Sequence, residues 1–138
     1  RERLGLLVRW TEWFSGYIAQ RREHASNEHV RQMLDYIKSH YREPISVDGI
    51  AERIGLNRVY VGRLFKMYVK QNMADYITQV RIEKAVELMG EANGNRKVMD
   101  IAEAVGFNNT HYFIKSFKKL MNVTPGKYME QLAERHRD

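Results

Sequence analysis

Apolar residues recur along this chain at steps of three and four, which is the spacing of one face of an α-helix. No stretch of useful length alternates apolar and polar residues as a half-buried strand does, and only two prolines interrupt the backbone. The pattern therefore predicts an all-α fold. The expected helices lie at about 4–24, 27–40, 46–54, 58–69, 73–89 and 124–135, with two more between the last two of these.

The first predicted helix carries an aromatic stripe. Leu7, Trp10, Phe14 and Tyr17 follow one another at steps of three, four and three, as in two heptads. We interpret residues 1–26 as a connector helix that is also a candidate dimer contact in the full-length protein. A helix that simply packs against the rest of the domain explains the stripe equally well.

The residues that follow Pro44 predict two short helices joined by a tight turn. Ser46 is a favourable N-cap, and Gly55 is a favourable stop because glycine adopts positive φ without steric cost. Asn57 then caps a second helix. This arrangement is a helix-turn-helix pattern, although the turn alone is equally compatible with a plain packed hairpin.

The same unit occurs twice in the chain. Residues 50–57 recur as residues 101–108, with Ile, Ala, Glu, Gly and Asn retained at an offset of 51. In the next helix Tyr60 recurs as Tyr112 at an offset of 52, so the second turn is one residue longer. A repeat of this kind implies two copies of one supersecondary unit.

The outward face predicted for each second helix is basic and has no acidic residue. A helix face that is only exposed to solvent usually carries both acidic and basic side chains. The absence of acidic residues therefore favours contact with the phosphates and base edges of duplex DNA. Arginines can contact guanine in a bidentate manner, and a valine can pack on a thymine methyl. The predicted base-reading residues are Arg58, Val59 and Arg63 in the first unit and Thr110, His111 and Lys115 in the second.

A further set of polar side chains around these helices is predicted to contact phosphate. The set comprises Asn57, Tyr60, Lys66, Asn109, Tyr112, Lys118 and Lys119. The three lysines either meet phosphate, remain in solvent or contact the last carbonyls of their own helix. The two tyrosines either donate their hydroxyl to phosphate or are half-buried in the core, and the core position is favoured for Tyr112.

Composition agrees with a globular protein that binds a polyanion. The 138 residues are 43% hydrophobic, and 23 Lys and Arg against 17 Asp and Glu give a net charge of +6, which favours nucleic acid or an anionic membrane. Cysteine is absent, which excludes disulfides and suits the cytoplasm. No paired-histidine motif, glycine-rich phosphate loop or nucleophile elbow occurs, so no metal, cofactor or enzymatic activity is expected. Because the chain begins at Arg1 rather than Met, we expect a fragment of a longer protein.

In their order and spacing these motifs resemble the AraC/XylS family of bacterial regulators, over about Val30 to Met129. The matching segments are 50–52 with Gly55, 63–66, 76–77, 81–85, 101–103, 105–107, 112–113, 117–119 and 124–128. The resemblance implies a homeodomain-like DNA-binding domain at 27–138. Its two helix-turn-helix subdomains would lie at 27–72 and 91–138, joined by a linking helix at 73–90.

The resemblance also implies a function and partners. Both recognition helices would enter successive major-groove segments of double-stranded promoter or operator DNA, separated by roughly 34 Å. Family members touch RNA polymerase, so polymerase is a further expected partner. The aromatic first helix resembles the connector of members that carry an upstream receiver domain or a membrane-anchored sensor.

Four positions depart from the family pattern. Lys70 replaces the glycine that usually closes the first recognition helix, which predicts a distorted or frayed C-cap; Asn122 at the matching place is milder because Asn tolerates the left-handed conformation. The resemblance also places Gly62 at a base-reading position, but Gly62 offers no side chain for base reading. Lys97, in place of Ser or Thr, predicts a weakly capped and mobile second unit.

A basic helical module that binds an acidic protein or RNA polymerase is the main alternative function. A helix lying on a membrane surface is less compatible, because the apolar stripe of the first helix suits a partner helix better than a bilayer. Salt-sensitive, sequence-selective binding to duplex DNA would separate DNA reading from both alternatives.

Overall fold

The computed structural model describes residues 28–137, and within this range it contains seven helices and no strand. The all-α prediction is therefore confirmed. The helices are α1 (Glu28–His40), α2 (Val47–Ile54), α3 (Arg58–Val69), α4 (Met73–Glu91), α5 (Val98–Ala104), α6 (Thr110–Met121) and α7 (Pro125–Arg137). The predicted connector helix lies outside the described residues. Among the described helices none is both long and apolar enough to cross a membrane.

The predicted helix ends are correct to within two residues. Helix α4 continues to Glu91, because the chain reverses only at Asn93 and Gly94, where φ is 52° and 78°. The described chain divides into two compact units, one ending at Ile77 and the other beginning at Thr78, so that the boundary falls inside α4.

The first unit is built on the buried face of α1, which carries Val30, Met33, Leu34 and Ile37. Helix α2 packs against α1 and α3. Its small residue Ala51 is buried. The rings of Phe65 and Tyr76 meet edge to face with their centroids 5.4 Å apart, and this contact joins α3 to the start of α4.

Capping side chains define the first helix-turn-helix unit as predicted. The backbone N–H of Gly49 donates to Ser46 Oγ at 3.1 Å, and Gly55 closes α2 with φ 82°. The N–H groups of Gly55 and Leu56 both donate to the carbonyl oxygen of Ala51, at 2.9 and 3.0 Å. These bonds satisfy carbonyls at the end of α2 and redirect the chain into α3.

The second unit repeats this turn with one more residue. Gly106 has φ 99°, and the N–H of Phe107 donates to the carbonyl oxygen of Ala102 at 2.9 Å, as Leu56 does to Ala51. At the start of α5, Lys97 makes no side-chain cap bond, which confirms the weak cap but does not test mobility. At the start of α7, the N–H of Lys127 donates to Thr124 Oγ1 at 3.2 Å, so Thr124 caps this helix.

The core of the second unit is a chain of aromatic rings. Phe107 meets Phe113 at 5.1 Å between centroids, Phe113 meets Phe117 at 5.8 Å, and Phe117 meets Tyr128 of α7 at 5.7 Å. All four residues are buried. Because two of these rings belong to α6, the opposite face of α6 is directed away from the core.

The prediction of a distorted C-cap at Lys70 is wrong. Lys70 adopts the left-handed conformation with φ 68°, and its N–H donates to the carbonyl oxygen of Lys66 at 3.0 Å. Asn122 closes α6 in the same way, with φ 62°. A left-handed non-glycine residue costs about 1–2 kcal/mol, but the cap bond and the packing of α3 hold the conformation in place.

Candidate nucleic-acid interface

Helix α3 has a buried side and an exposed side. Val61, Leu64 and Phe65 are buried, whereas Ile54 and Leu56, which border the turn, are half-buried. The helix contains no acidic residue. The exposed predicted residues on it are Arg58, Val59, Tyr60, Arg63 and Lys66, and Gly62 is half-buried between them.

Helix α6 presents the equivalent face in the second unit. Phe113, Ser116 and Phe117 are buried, and the helix again contains no acidic residue. On the outer side His111, Tyr112, Lys115, Lys118 and Lys119 are exposed, and Thr110 is half-buried at the first position. The structure therefore brings the predicted base-reading and phosphate-contacting residues of each unit to one helix face.

An asparagine caps each of these helices. Asn57 Oδ1 accepts from the N–H groups of Val59 at 2.8 Å and Tyr60 at 3.3 Å, and Asn109 Oδ1 accepts from Tyr112 at 3.1 Å. Both asparagines were expected to contact phosphate. The cap uses the side-chain oxygen, so the side-chain NH₂ group is the part of each residue suited to donate to a phosphate oxygen.

The first unit also contains an acidic neighbour that sequence reasoning missed. Arg58 Nε lies 3.0 Å from Asp48 Oδ1, which belongs to the first turn of α2. The face of α3 is free of acid in its own sequence, but a carboxylate from α2 reaches its first residue. The contact depends on how the turn places α2 against α3, and reading each helix separately does not reveal it.

Tyr112 is not a core residue, contrary to the favoured expectation. It is 49% exposed, and its ring packs against Phe107 with the centroids 5.9 Å apart. Its hydroxyl oxygen lies 3.2 Å from Thr78 Oγ1 of α4. The side chain of Arg81, one turn further along α4, lies over the Phe107 ring, and burial lowers the pKa of its guanidinium while Tyr112 opposes that shift.

Chemically, both helix faces offer hydrogen-bond donors and positive charge together with small apolar contacts. Guanidinium, ammonium and imidazole groups can donate to base-edge acceptors and phosphate oxygens, and Val59, at 64% exposure, is available for an apolar contact. No group of three or more His, Cys, Asp or Glu residues in the described part of the chain is placed to hold a metal ion.

Comparison with known proteins agrees with this geometry. The helix-turn-helix domain family matches residues 50–131. A transcriptional regulator of the helix-turn-helix type from Bacillus subtilis, YdeC, is 35% identical over 106 residues, which is 77% of this chain and 36% of that protein. The chain spans between 36% and 57% of the length of three curated relatives that it matches.

Two solved structures share the fold over most of the chain. The C-terminal domain of AraT, a response regulator from Geobacillus stearothermophilus, is 32% identical with a TM-score of 0.70, over 75% of this chain and 84% of that chain. A regulator of Chromobacterium violaceum with an AraC-type DNA-binding domain is 25% identical with a TM-score of 0.70, over 80% and 97%.

These features define a DNA-binding domain with two helix-turn-helix units. The chain belongs to the AraC/XylS family of transcription regulators. It is a DNA-binding domain of the kind that lies at the C-terminus of these regulators. DNA binding is accordingly the function of this type of domain. This family consists of DNA-binding regulators rather than enzymes.

Proposed function

We propose that this domain reads double-stranded promoter or operator DNA sequence-specifically, with α3 and α6 as recognition helices in successive major-groove segments. The observation that carries the proposal is the pair of exposed, basic helix faces, on helices that contain no acidic residue of their own and that each start at an asparagine cap in the equivalent position. A separation of roughly 34 Å between the two grooves corresponds to one turn of B-DNA.

Within the first unit, the arginines are the strongest base readers. Arg63 lies in the middle of the exposed face of α3, and Arg58 lies at its first position. Each can donate two hydrogen bonds to guanine O6 and N7, while Val59 can contact a thymine methyl. Gly62 leaves room for the helix backbone to approach the base edges, because nothing lies within 4 Å of where its Cβ would be.

In the second unit, Thr110, His111 and Lys115 occupy the corresponding part of α6 and are proposed to read bases. The residues proposed to fix the register through phosphate are Asn57, Tyr60, Lys66, Asn109, Tyr112, Lys118 and Lys119. Phosphate contacts of this kind orient a protein on the duplex without reading its sequence.

For the whole protein we propose an upstream receiver or sensory domain, residues 1–26 as its connector, and a cytoplasmic location of the DNA-binding domain. The similarity to the C-terminal domain of a response regulator supports the receiver domain. RNA polymerase as a partner and a homodimer of the full-length protein are also proposed, the latter from the aromatic stripe that includes Trp10 and Phe14.

Substitution of Arg63 tests the proposal on a duplex that the wild-type protein selects. Arg63→Ala is expected to lower the preference at one base position by about 1–3 kcal/mol, because one bidentate contact is lost. Arg96→Ala is the matched control: Arg96 is an exposed arginine between α4 and α5, outside both recognition helices. Competition binding with single-base variants of the duplex measures both.

The result separates DNA reading from its alternative. If Arg63→Ala kept every base preference of the wild type, Arg63 would not read bases. If the wild type itself preferred no sequence and lost binding as salt rose, the domain would be a general polyanion binder, and a module for an acidic protein partner would replace the proposed function.

A further inference from the structure

Asp48 and Arg58 form an ion pair that joins the first turns of α2 and α3. The contact runs from Arg58 Nε to Asp48 Oδ1 at 3.0 Å, with the two side chains 68% and 69% exposed. A guanidinium is planar and carries its donors on different edges. The carboxylate contacts the Nε donor, and the N–H groups of the two terminal nitrogens supply further donors for a second acceptor.

We propose that Asp48 is a positioning residue that determines the base specificity of Arg58, an inference that rests on the proposed function. Held at Nε, the guanidinium presents its terminal nitrogens as a pair to guanine O6 and N7. The paired carboxylate also offsets the charge of Arg58, which weakens its attraction to phosphate on any sequence. Both effects favour binding to guanine over binding to DNA of any sequence.

The second unit lacks an equivalent ion pair at these two positions. By the repeat offsets, Met99 stands where the first unit has Asp48, and Thr110 stands where it has Arg58. Neither residue is charged, so no ion pair can form there. The two units are therefore unequal readers, and the contribution of the carboxylate is specific to the half of the DNA site that α3 contacts.

The variant that tests the inference is Asp48→Asn, which removes the charge and keeps the size. Glu52→Gln is the matched control, because Glu52 is exposed on the same helix one turn later and loses the same charge. The readout is the preference for guanine over the other three bases at the position that Arg58→Ala identifies, measured by competition binding. Thermal unfolding checks that both variants are folded.

We expect Asp48→Asn to lower the guanine preference at that position about two- to fivefold, the range expected for an exposed ion pair. Glu52→Gln leaves the preference unchanged. Asp48→Asn also raises the affinity for all sequences, because the charge of Arg58 is no longer offset. In the Arg58→Ala background, Asp48→Asn has no further effect on base preference.

Three results overturn the inference, and they differ in what else they overturn. If Arg58→Ala abolishes one base preference but Asp48→Asn behaves like Glu52→Gln, Asp48 does not position Arg58 and the proposed function stands. If Asp48→Asn still changes preference when Arg58 is absent, Asp48 acts by itself. If Arg58→Ala changes no preference, the role of Asp48 fails together with the base-reading role proposed for Arg58.

Discussion

The hydroxyl oxygens of Tyr112 and Thr78 lie 3.2 Å apart, which ties the first turn of α6 to α4 within the second unit. The Tyr112 ring also packs against Phe107, and Arg81 lies over that same ring. These contacts hold the first turn of α6, a proposed recognition helix, against α4. A tyrosine proposed to contact phosphate thus has a structural role in the free domain.

Removing this hydroxyl should cost little but measurable stability. We expect Tyr112→Phe to lower the free energy of unfolding by about 0.5–1 kcal/mol, since the bond is partly exposed to water. Thr78→Val removes the partner, and the double variant should lose no more than either single variant. Additive losses in denaturant unfolding would mean that the two hydroxyls do not interact.

Gly94 lies in a turn that leaves no room for a side chain. A Cβ there would lie 2.3 Å from the backbone oxygen of Met129 in α7, and φ is 78°. Gly94→Ala should therefore lower the free energy of unfolding by about 2 kcal/mol or more, through backbone strain and displacement of α7. Gly90→Ala is the control, because nothing lies within 4 Å of its Cβ position in α4.

The control should respond in the opposite direction, stabilising α4 by up to about 0.5–1 kcal/mol since alanine is the better helix former. Thermal unfolding of both variants compares them directly. A Gly94→Ala protein as stable as Gly90→Ala would contradict the close approach of the turn to α7.

The uncapped start of α5 offers a stabilising substitution. Lys97 has the extended backbone of an N-cap residue but no side-chain cap bond, whereas Ser46 at the start of α2 makes one. Lys97→Ser should raise the stability of the second unit by about 0.5–1 kcal/mol, and Ser46→Ala should lower that of the first by a similar amount. Hydrogen exchange measures each unit separately, and an unchanged α5 in Lys97→Ser would contradict the cap argument.

Substitution of Gly62 is expected to change stability and DNA affinity in opposite directions. Its Cβ position is open in the free domain, so Gly62→Ala should stabilise α3 by about 0.5–1 kcal/mol. If α3 lies deep in the major groove, the same change should weaken DNA binding while thermal stability rises. Higher thermal stability with unchanged DNA affinity would show that the helix backbone does not approach the bases at this position.

Lys118 is proposed to contact phosphate, and salt dependence tests this role. Lys118→Ala should weaken binding to all sequences and reduce the slope of the logarithm of affinity against the logarithm of salt concentration by about one. Arg135→Ala, in the exposed part of α7, removes the same charge away from α6 and should leave the slope unchanged. Equal slopes for both variants would place Lys118 away from the DNA.

Local signals in the sequence predicted most of the fold. Ser46, Gly55 and Asn57 each act on neighbouring backbone groups, so their roles follow from the residue type and its place beside a helix. The prediction for Lys70 failed because the cost of a left-handed lysine is smaller than the cost of leaving α3 without its last turn.

Contacts between helices could not be predicted in this way. The pairing of Asp48 with Arg58 and of Thr78 with Tyr112 depends on the angle at which two helices meet, which no periodicity specifies. The spacing of residues predicted which side chains share an exposed helix face. It did not predict which side chains of other helices reach that face.

Selection from randomised duplex DNA with the purified domain, at near-physiological salt, tests the central proposal most directly. We expect enrichment of two short sequence elements centred about ten base pairs apart, one for each recognition helix. A single enriched element would contradict base reading by both units. Enrichment of no sequence, with binding that disappears as salt rises, would contradict sequence-specific recognition altogether.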